Sequence, residues 1–199
     1  MALPLDMYQI RGARPLQGTI NISGSKNACL PLMTAALLSD ETTYIENVPN
    51  LRDVRAMVKL LQHLGAEVTY TGGTLKIDPR RFSKDSVDYD LMVRMRASFY
   101  AMGPLLARLG KAHISMPGGC AIGDRPVDIH LRGFEELGVR HHHRNGYIHA
   151  MHNGLVGTRL SLMGPNGTSV GATCNVMMAA VLAKGTTIID DAAREPEIM

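Results

Sequence analysis

The sequence predicts an α/β domain of repeated strand–helix units, with apolar helices inside and short sheets outside. Three observations predict it. A helix, a stop and a hairpin recur at an offset of 73 residues: Val54, Val58, Leu61, Leu64 and Gly65 return as Val127, Leu131, Phe134, Leu137 and Gly138. Each unit also carries a helix that is apolar nearly all round, and such a helix is expected to be buried. The composition agrees, because 45% apolar and 20% charged residues over 199 positions are the profile of an ordinary globular chain. A chain of this length buries roughly 70% of its unfolded surface without help from disulfides or metal.

The elements follow in order. A strand is expected at Thr19–Ile22, then an apolar helix running to Leu37-Leu38. Pro31 places that helix's start, or a bend, between Lys26 and Pro31. A strand is expected over Thr42–Val48. Leu51 opens the next periodic helix, with Asn50 as its cap candidate and Asp53 three positions later in the manner of a capping box. Val68 and Tyr70, the Gly72-Gly73 turn, and Leu75 and Ile77 read as a hairpin. The second unit offers an apolar helix opened by Arg94–Ser98, a strand over Lys111–Met116, and a helix with Pro126 in its first turn. Its hairpin turns at Asn145-Gly146. The third unit shows a helix through Val176–Leu182 and a strand over Thr186–Asp190. It then reaches Glu195–Ile198 and stops before a second helix or hairpin, so the chain is expected to be a piece of something longer, cut inside its third unit.

Several classes are excluded. Apolar runs such as Met177–Ala183 fall far short of the ~20 residues that span a bilayer, and the start carries no basic-then-apolar signal. Cys29, Cys120 and Cys174 cannot all pair and form no Cys-x-x-Cys, which argues against a disulfide scaffold or zinc site and suits a cytoplasmic protein. A net charge of +3 and 5% aromatics with no Trp do not predict nucleic-acid binding, but allow a small anionic substrate. The methionines are expected to fill the core.

Four segments offer chemistry. Ser23–Asn27 precedes a helix, where free amides beside Lys26 make an anion site or where Ser and Gly merely cap. Arg94 and Arg96 point roughly 200° apart on a helix, so only one of them faces a pocket, where a guanidinium binds phosphate or carboxylate bidentately; two surface arginines are the alternative. In Pro117–Asp128, glycines flank Cys120 on a loop, and Arg125 with a helix start favours its thiolate, whereas Cys29 and Cys174 read as buried small apolar residues. Thr168–Thr173 either caps its helix or binds phosphate. His141, His142, His143, His149 and His152 form a visible cluster. In the hairpin His141 and His143 share a face, with His149 opposite, and a solvated hairpin is favoured over a metal site. No Ser-His-Asp arrangement, P-loop or G-x-G-x-x-G is present.

Ser23–Asn27, Asn47–Pro49 with Arg52-Asp53, Met95–Ser98, Pro117–Asp128, Ser169–Thr173 and Ala192–Ile198 occur in order along nearly the whole chain. Together they resemble the first half of the UDP-N-acetylglucosamine 1-carboxyvinyltransferases, a family of enolpyruvyl transferases. The resemblance implies an inside-out α/β fold of the EPSP synthase-like kind, with residues 21–199 forming an incomplete first domain. Residues 1–20 would be a strand segment belonging with a second domain. It implies transfer of the enolpyruvyl group from phosphoenolpyruvate to the 3′-hydroxyl of UDP-N-acetylglucosamine, with release of phosphate, in peptidoglycan synthesis. Cys120 matches the family's proton donor and the residue alkylated by fosfomycin; Lys26 and Asn27 match the residues that hold phosphoenolpyruvate. Arg96, Arg125, Pro126, Val127, Asp128 and Ile129 match positions that bind the nucleotide sugar, as do Ser169 and Val170 near its diphosphate. No cofactor and no metal are implied. One departure is Gly167, where the family often has a lysine that reaches the diphosphate. The general base and a further phosphate-binding arginine belong to the second domain, so the 199 residues are expected not to turn over alone. The alternatives are the related enzyme acting on shikimate 3-phosphate, which lacks the Gly-Gly-Cys loop, and a non-catalytic sugar-nucleotide-binding module.

Overall fold

The computed structural model describes residues 9–12, 15–117 and 126–199. Residues 15–25 form neither helix nor strand, and Ile20 and Ile22 are 81% and 82% exposed. The strand expected at Thr19–Ile22 is therefore not formed: no described strand lies beside it to take its backbone hydrogen bonds.

Helix α1 (Lys26–Ala35) starts where Ser25 accepts the Ala28 N–H at 3.3 Å, and a 3-10 turn (Ala36–Leu38) follows it. Pro31 lies inside α1 without ending it. Strand β1 (Thr43–Ile45) is shorter than expected because Asn47, at φ +53°, turns the chain. Helix α2 (Arg52–His63) buries Val54, Met57, Leu60 and Leu61 and stops at Gly65, whose φ of +106° suits glycine. The capping box expected at its start is not made. Asn50 Oδ1 accepts from Arg55 Nε at 2.8 Å, while Asp53 pairs with Lys26. Strands β2 (Glu67–Thr71) and β3 (Thr74–Asp78) form the first hairpin.

Strand β4 (Ser86–Val87) and the short α3 (Tyr89–Met92) lead to a 3-10 stretch (Arg96–Ala101), α4 (Met102–Leu109) and β5 (Lys111–Ser115). Helix α5 (Asp128–Glu136) starts just beyond Pro126, which therefore precedes the first turn rather than sitting in it. Strands β6 (Arg140–Arg144) and β7 (Tyr147–Met151) form the second hairpin, displaced from the first by 73 residues at every boundary. Gly72 and Gly73, and Asn145 and Gly146, all take positive φ, as two-residue turns with the twist of a hairpin require.

The sheets show the repeat as topology. The first is ordered β1-β3-β2 and the second β4-β5-β7-β6, with β5, β7 and β6 in the places of β1, β3 and β2. Strand β4 runs parallel to β5. In the third unit β8 (Arg159–Ser161) likewise runs parallel to β11 (Ile188–Asp190). Between them lie the small hairpin of β9 (Met163–Gly164) and β10 (Gly167–Thr168) and helix α6 (Val170–Ala180). Helix α6 starts within the expected Thr168–Thr173 segment, where Ser169 caps it by accepting the Ala172 N–H at 3.2 Å, and ends at Ala180, short of the expected Leu182.

Helix α6 packs against α4, α5 and α1, and its Ala172, Val176 and Ala179 are buried. The sheets pack outside the helices, with Ile77, Ile114 and Ile148 turned inward. Close approach of α4 to α6 depends on Gly103. A Cβ there would lie 2.5 Å from the Asn175 carbonyl oxygen, backbone that cannot step aside cheaply. We expect Gly103→Ala to destabilise the chain by about 2 kcal/mol in urea unfolding, within the range for overpacking. Gly12→Ala, where nothing lies within 4 Å, should leave the midpoint unchanged.

Candidate functional site

Four helical starts face one cleft of about 1200 Å³. Lys26 and Asn27 open α1, Arg96 opens the 3-10 stretch, Asp128 opens α5, and Ser169 and Val170 open α6. Every described residue that the resemblance matched to substrate binding lines this cleft: Lys26, Asn27, Arg96, Pro126, Val127, Asp128, Ile129, Ser169 and Val170. Cys120 and Arg125 lie outside the described residues.

The repeat explains the convergence. Each unit sends its buried helix inward, so the unbonded amides at the helix starts gather at one end of the bundle. At α6, Ser169 Oγ takes the Ala172 N–H and the Ser169 carbonyl takes the Thr173 N–H, leaving the Val170 and Gly171 amides without intrahelical partners. Gly167, at φ +96°, turns the β9–β10 hairpin just before this start. A lysine there would be strained, so the backbone reinforces the departure seen in the sequence.

The side-chain charges are less one-sided than the resemblance implies. Lys26 Nζ is held 2.9 Å from the Asp53 carboxylate, so an anion arriving at Lys26 competes with that carboxylate. Arg96 donates from Nη2 to the Pro126 carbonyl at 3.2 Å, which ties the 3-10 stretch to the approach of α5. Arg94 lies in the turn after α3, where it donates to the Asp90 carbonyl on the exposed side; extended Met95 separates it from the 3-10 stretch, so the two arginines diverge without sharing the helix that the sequence suggested. Asp128, Glu195 and Glu197 also line the cleft. Cys29 and Cys174 are buried, and burial pushes both thiols up to about 11, away from reactive thiolate.

The sequence analysis missed two residues: His130, which lines the cleft, and Asn175, which is buried behind it. His130 is 6% exposed and meets the Phe99 ring edge-on, with centroids 5.0 Å apart. Asn175, fully buried on α6, takes the Gly103 N–H on Oδ1 at 2.7 Å and donates from Nδ2 to the Phe99 carbonyl at 2.8 Å. Its Nδ2 also lies 3.2 Å from His130 Nδ1. An asparagine in the middle of the largely apolar run Val170–Ala180 was the available signal.

The histidine cluster is arranged differently from the expectation. His149 lies opposite His142, with which it stacks, and beside His113, while His141 faces Ala150 and pairs with Glu135. The period-2 reading chose the wrong row because the register was not yet fixed. No group of three or more His, Cys, Asp or Glu among the described residues is arranged to hold a metal ion.

The family description "EPSP synthase (3-phosphoshikimate 1-carboxyvinyltransferase)" matches residues 10–199. The chain belongs to the EPSP synthase family. Among curated members, the protein named UDP-N-acetylglucosamine 1-carboxyvinyltransferase from Acinetobacter baylyi is 49% identical over 195 residues, covering 98% of this chain and 46% of that protein. Its namesake from Yersinia pestis is 45% identical over 196 residues, with the same coverage. The chain thus spans about half the length of the curated relatives it matches. Among solved members of this fold, the enolpyruvyl transferase NikO from Streptomyces tendae superposes with a TM-score of 0.79 at 21% identity, over 92% of this chain and 42% of that one. The EPSP synthase of Acinetobacter baumannii superposes at 0.70 with 15% identity, over 91% and 42%. At those identities the superpositions show the shared inside-out α/β fold. No helix of the described residues is long and apolar enough to cross a membrane.

Burial first, and the Arg96 charge second, hold His130 neutral and lower its pKa from 6.5 to about 3. Since the fold disfavours the protonated ring, the associated stability is complete above about pH 6.5 and is lost as the pH falls toward 3. We expect stability to fall more steeply in the parent than in His130→Gln, by about 1.4 kcal/mol per pH unit between roughly pH 6 and 4. Urea unfolding at several pH values checks this; parallel curves for the two proteins would contradict it.

Proposed function

We propose that this chain supplies the first half of the active site of a UDP-N-acetylglucosamine 1-carboxyvinyltransferase. The observation that carries the reading is the single cleft onto which Lys26, Asn27, Arg96, Pro126–Ile129, Ser169 and Val170 all open. The relatives at 45–49% identity bear that name over 98% of the chain, which favours the sugar nucleotide over shikimate 3-phosphate as acceptor.

The 3′-hydroxyl of UDP-N-acetylglucosamine adds to C2 of phosphoenolpyruvate while the Cys120 thiol protonates C3, giving a tetrahedral adduct. Loss of a proton from C3 and of phosphate from C2 restores the double bond as the enolpyruvyl ether. Lys26 and Asn27 hold phosphoenolpyruvate, and the ammonium offsets charge gathering on phosphate and carboxylate. Arg96, Arg125 and the starts of α5 and α6 hold the nucleotide sugar. The reaction serves peptidoglycan synthesis in the cytoplasm, and Cys120 is the site of fosfomycin alkylation. A second domain supplies the general base and a further arginine, and residues 1–20 belong with it. The bare Ile20 and Ile22 side chains fit a segment whose cover lies in that domain.

The test joins this chain to the second half of a relative and measures phosphate release from phosphoenolpyruvate. Release is expected with UDP-N-acetylglucosamine and not with shikimate 3-phosphate, and the 199 residues alone should release none. Cys120→Ser should slow turnover at least about a hundredfold, as loss of a general acid does. Release with shikimate 3-phosphate, or none from the joined protein, overturns the reading; binding without release marks a sugar-nucleotide-binding module. In the joined protein, fosfomycin should add once, at Cys120. Mass-mapped adducts at Cys29 or Cys174 would contradict the assignment, since both thiols are buried.

A further inference from the structure

We propose that His130 is a neutral hydrogen-bond donor to a phosphoryl group bound at the start of α6, and that Asn175 is the positioning residue that fixes it in that state. The inference rests on the cleft proposed above as a sugar-nucleotide site and adds a ligand contact to it.

The geometry decides which imidazole nitrogen carries the proton. Because Asn175 Oδ1 receives the Gly103 N–H at 2.7 Å, the other terminal atom is the amide nitrogen. One of its hydrogens goes to the Phe99 carbonyl, at 2.8 Å, and the other points to His130 Nδ1, at 3.2 Å. An amide NH2 only donates. His130 Nδ1 must therefore present its lone pair, and a neutral ring then carries its single proton on Nε2.

That Nε2–H has no hydrogen-bond partner among the described residues. The Nε2–Cε1 edge lies against the first turn of α6, where a Cβ at Gly171 would come 3.2 Å from both atoms, and the ring lines the cleft beside Ser169, Val170 and Gly171. Glycine at 171 is what lets the ring sit this close to the helix start, since a Cβ there would crowd it. Val170 and Gly171, whose amides have no intrahelical partner, line the cleft beside the ring, so three N–H donors belong to one stretch of its wall. The other groups nearby are Arg96, whose charge acts on His130, the Tyr100 hydroxyl, 3.9 Å from the Gly171 Cβ position, and the Glu197 carboxylate, whose charge acts on Tyr100. A corner of N–H donors with a guanidinium nearby suits a phosphoryl oxygen, which accepts several bonds at once. The histidine is more than nine-tenths buried, and a donor held in place by its own buried partner costs little reorganisation when ligand arrives. A neutral donor also avoids burying another charge.

The experiment labels the histidines with ¹⁵N and records ring correlations at pH 7 with UDP-N-acetylglucosamine, inorganic pyrophosphate or phosphoenolpyruvate. His130 should appear as the Nε2–H tautomer in the free chain. Its Nε2 resonance should move with UDP-N-acetylglucosamine and pyrophosphate, and not with phosphoenolpyruvate. His130→Phe should weaken UDP-N-acetylglucosamine binding by about 10- to 100-fold, the loss expected for a hydrogen bond to a charged group. His130→Gln, which keeps an N–H donor, should recover most of it. Asn175→Asp, whose carboxylate accepts, should turn the ring to Nδ1–H and weaken binding with the fold intact by its amide spectrum. If Asn175→Asp fails to fold, the parent tautomer and the Phe and Gln variants still decide. An Nδ1–H ring in the parent, equal binding by His130→Phe, or a response to phosphoenolpyruvate alone overturns the inference, as does a parent that binds none of the three. Pyrophosphate binding that needs His130, without binding of UDP-N-acetylglucosamine, leaves the inference standing and overturns the sugar-nucleotide reading.

Discussion

The whole arrangement depends on one buried carboxamide. Asn175 joins α6 to the turn that opens α4, to the 3-10 stretch behind Arg96 and to the first turn of α5. Each bond satisfies a polar group where water does not reach, and leaving such a group unpaired costs about 1–3 kcal/mol. The carboxamide therefore fixes helices from different units in one register, which apolar packing alone specifies less sharply. The same bonds hold three of the four helical starts that face the cleft, so stability and site geometry share one origin.

Anion binding at this cleft is a matter of backbone more than of side-chain charge. Lys26 and Arg96 face the carboxylates of Asp53, Asp128, Glu195 and Glu197, and Lys26 is already engaged by Asp53. What remains unopposed is the set of unbonded amides at the helix starts, together with the ring N–H of His130. These donors stay in place at any ionic strength, whereas exposed ion pairs are screened. The inside-out layout provides them, because a helix buried at the centre directs its free amides to one end.

Much of this was legible in the sequence. The two hairpins were fixed by Gly72-Gly73 and Asn145-Gly146, because residues that tolerate positive φ adjoined period-2 patterns. Helices α2 and α5 were visible in their apolar spacing and in Gly65 and Gly138. The cleft residues were legible because each motif sits at a helix start. What escaped depends on partners far away in the chain. The strand at Thr19–Ile22 had the right composition and no partner strand among the described residues. Asp53 left its capping role for Lys26, 27 residues away. Asn175 reads as an ordinary polar residue until Gly103 and Phe99, 72 and 76 residues distant, arrive beside it. The histidine row was misread because a shift of one register position changes which residues share a face.

The central claim is that helix starts from different units form one binding surface for a sugar nucleotide. Mapping backbone amide shifts of this chain as UDP-N-acetylglucosamine is added tests it most directly. The account predicts a compact set of changes at Arg96–Ala97, Asp128–His130 and Val170–Gly171, with the outer sheet face around His113 and His149 silent. Changes centred on that face, or at only one of the helix starts, would contradict it.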